Sequence, residues 1–253
     1  MENSSYASKT LITEERLKGR AVIRQKQISL KQTTGYYGEW AICRHLSLEE
    51  VKQKITAKNP YVLRFKADCN NKENIRLVDA IRGELSLPPN TMDFGLLKSD
   101  GIPTYHFAHV VDDHLMRTTH VIRGEEWLSS LPMHIQLFDA FGWEKPVYCH
   151  TATLMKKDGN SKRKLSKRRD PELALSYYRK EGYTAEAMWN YLLTILNSNY
   201  EEWRLQNPKK SYLDFPFSLE KMSNSGALFD LEKLNDISKE VLSRIPAEQI
   251  YNS

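Results

Sequence analysis

The 253-residue chain contains no run of 18 apolar residues, so no transmembrane helix is expected. Its opening, MENSSYASKTLITEERLKG, lacks the apolar centre of a secretory signal. Cysteine is scarce: Cys43, Cys69 and Cys149 form an odd, sparse set. Such usage speaks against a disulfide framework and for reduced thiols, hence a cytoplasmic setting. No segment repeats internally, and no H-x-x-x-H or H-E-x-x-H spacing offers a helical metal site. What is there is a globular composition, 40% hydrophobic and 27% charged, with a mean hydropathy of −0.59. Net charge +5 and a pI near 8.9 suit a polyanionic partner.

The patterning alternates short strands with helices. Thr13–Gln27 is expected to be helical with Thr13 as cap, and residues 29–37 a loop broken at Gly35. Ser47 caps a helix to Ile55 whose first turn carries Glu49 and Glu50. Tyr61–Lys66 reads as a strand and Ile75–Leu87 as a hairpin about Arg82-Gly83. Phe94–Leu97 and Tyr105–Val111 read as strands or strand–helix transitions, with turns at Pro88-Pro89-Asn90 and Ser99-Asp100-Gly101. Ser130 begins a helix with Leu131, Ile135, Phe138 and Phe141 on one face and Gly142 just past its end. Val147–Leu154 is a buried-strand pattern. Beyond it, Asp170-Pro171 opens a helix closed by Gly182, and Thr184 opens another with Met188, Leu192 and Ile195 in an apolar stripe. Asn197–Pro216 reads as loop, Ser218 and Leu231 as starts of short helices, and Ala247–Ser253 as a frayed tail.

The stretch Lys156–Asp170 holds eight Lys or Arg against two Asp, a balance of about +6. Most basic runs are solvated faces. This one ends in Lys164-Leu165-Ser166-Lys167-Arg168 after a buried-strand pattern, an arrangement in which lysines on a polar turn can close over a polyphosphate. Upstream, Ser99–Trp127 reads SDGIPTYHFAHVVDDHLMRTTHVIRGEEW. With KLSKR, this run closely resembles the class I glutamyl-tRNA synthetases. YVLRFK at Tyr61–Lys66, RGEL at Arg82–Leu85, FGW at Phe141–Trp143, EGYTAEAMWNYL at Glu181–Leu192 and FDLEKLN at Phe229–Asn235 extend the resemblance over roughly residues 40–240.

The resemblance implies an α/β architecture: part of a class I synthetase Rossmann-type fold, with an α+β connective insertion and a helical stem-contact region. Its expected divisions are a connective, acceptor-stem-binding insertion at 1–98, the second half of the catalytic domain with the KLSKR loop at 99–169, and the stem-contact helices at 170–253. None of the seven histidines (45, 106, 109, 114, 120, 134 and 150) stands in an H-x-G-H setting. The chain therefore reads as the middle of a synthetase, without the HIGH-bearing half of the nucleotide fold or the anticodon-binding domain. A half-built sheet of that kind would present an edge prone to association.

Amino-acid activation needs positioning and charge stabilisation more than a side-chain nucleophile, because the carboxylate already attacks phosphorus. The resemblance gives that task to Lys164, Lys167 and Arg168, with Lys167 on the pyrophosphate side. Tyr105, Arg123 and His109 would line the glutamate pocket, the Arg123 guanidinium pairing with a carboxylate. His109 departs from the asparagine or other small residue common in the family. Glu126, Trp127, Leu154, Met155 and Lys167 would contact ATP, which acts with Mg2+. No metal site is expected. Asp112, Asp113 and His114, with His106, His109 and His120 nearby, fit the synthetase motif better than a ligand cluster. Cys43-Arg44-His45 supplies only the C-x-H half of a zinc site seen in some members, and two ligands cannot close a tetrahedron. Expected partners are the acceptor stem and elbow of tRNA, glutamate, ATP and a complementing polypeptide, with no membrane. The leading expectation is glutamate–tRNA ligation by an incomplete catalytic unit. The alternatives are a non-catalytic tRNA- or partner-binding remnant and a tRNA-base glutamylase; the intact KLSKR speaks against the latter.

Overall fold

The computed structural model of the chain describes residues 7–11 and 14–245. Thr13 and the tail Ala247–Ser253, for which a cap and fraying were expected, lie outside the described residues. The chain divides into two compact units built from non-contiguous stretches. Residues within 1–77, 85–120 and 128–146 make the first, and residues within 78–84, 121–127 and 147–253 the second.

In the first unit, β1 (Ala7–Leu11) leads into α1 (Glu14–Ser29), then α2 (Leu48–Thr56) and β2 (Tyr61–Phe65). Ser47 caps α2 as expected: its hydroxyl accepts from the Glu50 amide at 3.2 Å, and the Glu50 carboxylate accepts from the Ser47 amide at 2.7 Å. Buried Gln27 holds the following loop, bonding both the amide and the carbonyl of Gly35. A hairpin of β3 (Ile75–Asp79) and β4 (Gly83–Leu87), whose residues 78–84 belong to the second unit, precedes β5 (Gly95–Leu97). β2 is the central strand of an antiparallel sheet ordered β1-β2-β5, in register from Ala7↔Phe65 to Leu11↔Tyr61.

Against it lie α3 (Tyr105–Leu115) and α4 (Leu131–Phe141), closing a core of Phe65, Ala67, Phe94, Leu96, Val110, Leu137 and Phe138. Tyr105–Val111 is thus a helix rather than a strand. Phe107 and Val110, three residues apart, face that core, and Thr104 ties the helix start to β5 through Gly95 O at 2.7 Å. Tertiary packing overrides the β-branched bias of Val110-Val111. α4 falls where expected. Gly142 closes it in the left-handed region at φ 67°, and the Trp143 amide returns to Phe138 O at 2.9 Å. Two details differ: Ser130 makes no side-chain cap, and Phe141 is 41% exposed, outside the buried face.

The second unit contains most of β6 (His120–Gly124) and all of β7 (Val147–Thr151), which pair. β7 stops three residues short of the expected Leu154, because the Thr153 amide and hydroxyl turn to the Glu125 carboxylate. The KLSKR loop does not follow β7 directly. A tight hairpin of β8 (Met155–Asp158) and β9 (Ser161–Lys164) intervenes, with Met155 opposite Lys164 and Lys156 opposite Arg163. Its two-residue turn is Gly159-Asn160, with Gly159 at φ 59°, where a side chain would be strained.

The rest is helical: α5 (Leu175–Lys180), α6 (Ala185–Leu196), α7 (Tyr200–Gln206) and α8 (Leu231–Arg244). Thr184 caps α6 through the Ala187 amide at 3.1 Å. Its most buried residues are Ala187, Asn190 and Tyr191, while Met188 and Ile195 pack at the margin of the same core. α7 replaces an expected loop: buried Tyr200 meets Phe215 edge-on at 4.9 Å and donates its hydroxyl hydrogen to Asn190 Oδ1 at 2.6 Å. α8 is a 14-residue helix capped by Asp230, longer than the short one expected. Leu165, Tyr178, Tyr191, Phe229 and Leu234 form the unit's main core. No helix of the described residues is long and apolar enough to cross a membrane.

Candidate functional site

In the second unit the site-forming side chains are held from below by a buried polar chain. Asp79, at the end of β3, and His150, on β7, are 1% and 0% exposed. The Asp79 carboxylate accepts from the His150 ring at Nδ1 (2.7 Å), the His150 amide (3.1 Å) and the amides of Ile81 and Arg82 (3.0 Å each). Burial opposes its ionisation, but these bonds together outweigh burial and hold its pKa below the ordinary carboxylate value. Burial, helped by the Arg123 and Arg82 charges, depresses the pKa of His150 despite its bond to Asp79. Arg123 Nε can only donate, so its 3.0 Å contact makes His150 Nε2 the acceptor and leaves the proton on Nδ1, which donates to Asp79: a neutral imidazole in one tautomer.

Arg123, on β6, is thereby fixed at its Nε edge, and its guanidinium lies 5.2 Å from the Tyr148 ring centroid and 6.0 Å from that of Trp127. Arg82 completes the setting, donating to His150 O at 3.1 Å and to Glu125 at 2.5 Å. Glu125 has a lowered pKa, chiefly through the Thr153 hydroxyl. An arginine held by its Nε and stacked on rings can present a planar, charged edge to a carboxylate.

The basic loop sits nearby in sequence on the β8–β9 hairpin. Lys164 ends β9, and its ammonium meets the Glu126 carboxylate at 3.2 Å, both side chains about half exposed. The lowered pKa of Glu126 comes first from its own amide, then from Lys164. Leu165 is buried in the helical core, and its amide bonds Leu154 O at 3.0 Å. Lys167 and Arg168 are exposed. Leu154 packs at the margin of that core, and Met155 bonds through its backbone to Ala227 and Phe229. The second unit thus brings Arg123 to Trp127 and Lys164 to Glu126.

Tyr105 and His109 lie on α3 in the first unit, stacked at 5.7 Å with rings 13° apart. His109 also meets Asp113 at 3.1 Å and the buried His134 ring at 4.4 Å. His106 Nδ1 is 3.0 Å from His134 Nε2, and His114 stacks flat on Trp143 at 3.9 Å. These histidines are engaged with rings and with one another. Cys43 is buried and His45 exposed, its ring 3.4 Å from Gly38 O. Among the described residues, no three His, Cys, Asp or Glu side chains are grouped to hold a metal ion.

Sequence reasoning gives no site role to Asp79, His150, Arg82, Glu125, Arg163 or Asp170; Asp170 reads there as a helix cap, but its side chain makes no cap bond and turns to Arg163 and the Ser166 amide. One signal was available: a histidine inside the apolar run Val147–Leu154 needs a buried partner. Nothing in the sequence said that Asp79, 71 residues earlier, would be that partner.

The family model for the catalytic domain of class I tRNA synthetases (E and Q) matches residues 2–236, and the chain belongs to that family. It is 62% identical over 229 residues to a glutamate–tRNA ligase of Acetivibrio thermocellus, covering 90% of this chain and 42% of that protein. It is 54% identical over 230 residues to one of Clostridium perfringens strain 13, covering 91% and 42%. Among solved structures, a glutamate tRNA ligase of Elizabethkingia meningosepticum in complex with its amino acid superposes with a TM-score of 0.80 at 34% identity. That match covers 98% of this chain and 52% of the other. The chain thus spans about 42% of the length of these curated relatives. Its α/β fold is part of the class I synthetase fold.

Proposed function

We propose that this chain serves ATP-dependent activation of glutamate and its transfer to tRNA, supplying the triphosphate-binding loop and part of the glutamate pocket. The observation that carries the reading is the KLSKR loop, mounted on a tight hairpin with Lys167 and Arg168 exposed, in a chain of this family. In this reading the glutamate α-carboxylate attacks the α-phosphorus of MgATP, an aminoacyl adenylate forms, and pyrophosphate leaves with the electron pair of the broken P–O bond. Negative charge builds on the leaving pyrophosphate, where the ammonium of Lys167 and the guanidinium of Arg168 offset it, with Lys164 beside them. Arg123 pairs with a glutamate carboxylate, and Tyr105 and His109 each keep the glutamate-binding role that the family resemblance implies. Glu126, Trp127, Leu154 and Met155 border the nucleotide. Residues 1–98 serve as the connective, acceptor-stem-binding segment, 99–169 as part of the catalytic domain, and 170–253 as stem-contact helices. Contacts with tRNA run through its backbone and are weakened by salt. The setting is cytoplasmic.

Glutamate-dependent ATP–pyrophosphate exchange with total tRNA tests the reading, with calorimetric MgATP binding beside it and Lys167→Ala as control. Exchange lost in the control shows that the chain builds a working site. MgATP binding weakened by the substitution, without exchange, assigns the loop to nucleotide binding and the remaining groups to a complementing polypeptide. MgATP binding indifferent to Lys167 overturns the reading.

A further inference from the structure

The loop of residues 164–170 is fixed at two points. Leu165 enters the apolar core beside Tyr178 and Tyr191. Five residues on, the Asp170 side chain is 1% exposed and receives a two-pronged contact from Arg163: Nη1 to Oδ2 and Nη2 to Oδ1, each 2.7 Å. The same Oδ2 accepts the Ser166 amide at 2.8 Å, and the amides of Arg169 and Asp170 return to Ser166 O at 3.0 and 2.8 Å. Arg163 is braced from the other side by Asp158 at 2.8 Å, and Lys156 stands 3.7 Å from Asp170 while bonding Glu172 at 2.6 Å. The Arg163 guanidinium is the main reason the Asp170 carboxyl is held far below the usual range. Between these anchors only the turn Ser166–Arg169 remains, and it carries Lys167 and Arg168.

We propose that Arg163 and Asp170 are positioning residues for the loop: their two-pronged ion pair ties β9 to the far end of the turn and so fixes where Lys167 is presented. The inference rests on the loop's assignment to a triphosphate but concerns residues that do not touch it. A guanidinium fork on a carboxylate holds both distance and plane, which a single ammonium cannot do. With the fork gone, the far end of the turn is held only by its own Ser166 bonds and the longer Lys156 contact, and local opening makes the already exposed Lys167-Arg168 more accessible to protease.

The test uses the full chain and three variants, Arg163→Met, Arg163→Lys and Asp170→Asn, with two readouts. The first is trypsin cleavage after Lys167 and Arg168, followed by mass spectrometry and scaled to cleavage outside residues 156–172. The second is calorimetric MgATP binding, with Lys167→Ala as reference. Loop cleavage is expected to rise about tenfold in Arg163→Met and Asp170→Asn, and nearly as much in Arg163→Lys, with the circular dichroism spectrum unchanged. MgATP binding should weaken in step. Loop cleavage equal to the parent in Arg163→Met, or restored by Arg163→Lys, overturns the proposal. Binding weakened in Lys167→Ala but intact in Arg163→Met overturns it as well. Binding indifferent to Lys167→Ala instead removes the triphosphate assignment and leaves the tether to be decided by cleavage alone.

Discussion

Asp79→Ala is the substitution that bears hardest on the buried chain beneath Arg123. It removes four accepted hydrogen bonds from a carboxylate that is almost wholly enclosed. Bonds to an ionised group are worth about 1.5–3 kcal/mol singly but are not additive, and stripping one partner from a buried polar set costs about 3–5 kcal/mol. At 2–4 °C per kcal/mol for a protein of this size, the melting point should drop by roughly 10 °C. The sign of the pH dependence follows from two depressed pKa values. The unfolded Asp79 takes a proton at its ordinary pKa of about 4 while the folded one resists, so its contribution is present above that pH and lost as pH falls through the folded value. The unfolded His150 takes a proton near about 6.5 while the folded one stays neutral, so acidification below that value also favours unfolding. Both act in the same direction but in successive windows: the His150 share is lost below about pH 6.5, and the Asp79 share only below about pH 4. Urea titrations followed by tryptophan fluorescence at pH 7, 5.5, 4 and 3 measure this, the last sampling the Asp79 window, with exposed Asp112→Ala as a surface control. Asp79→Ala should lose its carboxylate share of the acid sensitivity along with the stability. A loss below about 1 kcal/mol at pH 7, matching the control, would refute the reasoning.

Three further outcomes follow from particular contacts. Leu165→Ala, in the core beside Tyr178 and Tyr191, should cost about 2–4 kcal/mol by urea unfolding. Ser47→Ala, which opens the capping box of α2, should cost about 1 kcal/mol in the same titration. Arg123→Lys keeps the charge but loses the Nε contact to His150 and the planar fork; calorimetry should show glutamate binding weakened about tenfold, with a melting point shifted much less than in Asp79→Ala.

What could be read from the sequence was what depends on neighbours along the chain. The capping box at Ser47, the Gly142 stop of α4 and the Thr184 cap of α6 each need only a few adjacent residues, and each is present. Helix α3 was missed because Phe107 and Val110 are helical through a sheet contributed by distant strands. α7 was missed because its stabilising contact, Tyr200 on Phe215, is made across a polar segment that reads as loop. For the site, the linear motifs pointed to Lys164, Lys167 and Arg123 but not to what holds them. Asp79 and His150 are 71 residues apart, and the duty of Arg163 depends on a hairpin that the sequence reading left out.

That hairpin gives the basic run a parity. Lys156, Asp158 and Arg163 share one face of the ribbon and converge towards Asp170 and Glu172; Met155, Lys157, Lys162 and Lys164 share the other, where Lys164 meets Glu126. Neighbouring cations that look interchangeable in a charge count therefore belong to different populations. Positions 157 and 162 are free to drift among polar residues, whereas 156 and 163 are tied to a buried anion. A one-residue deletion inside β9 would exchange the two populations at a stroke, turning an anchor towards water and a lysine of the opposite face towards Asp170 while leaving the net charge of the segment nearly unchanged.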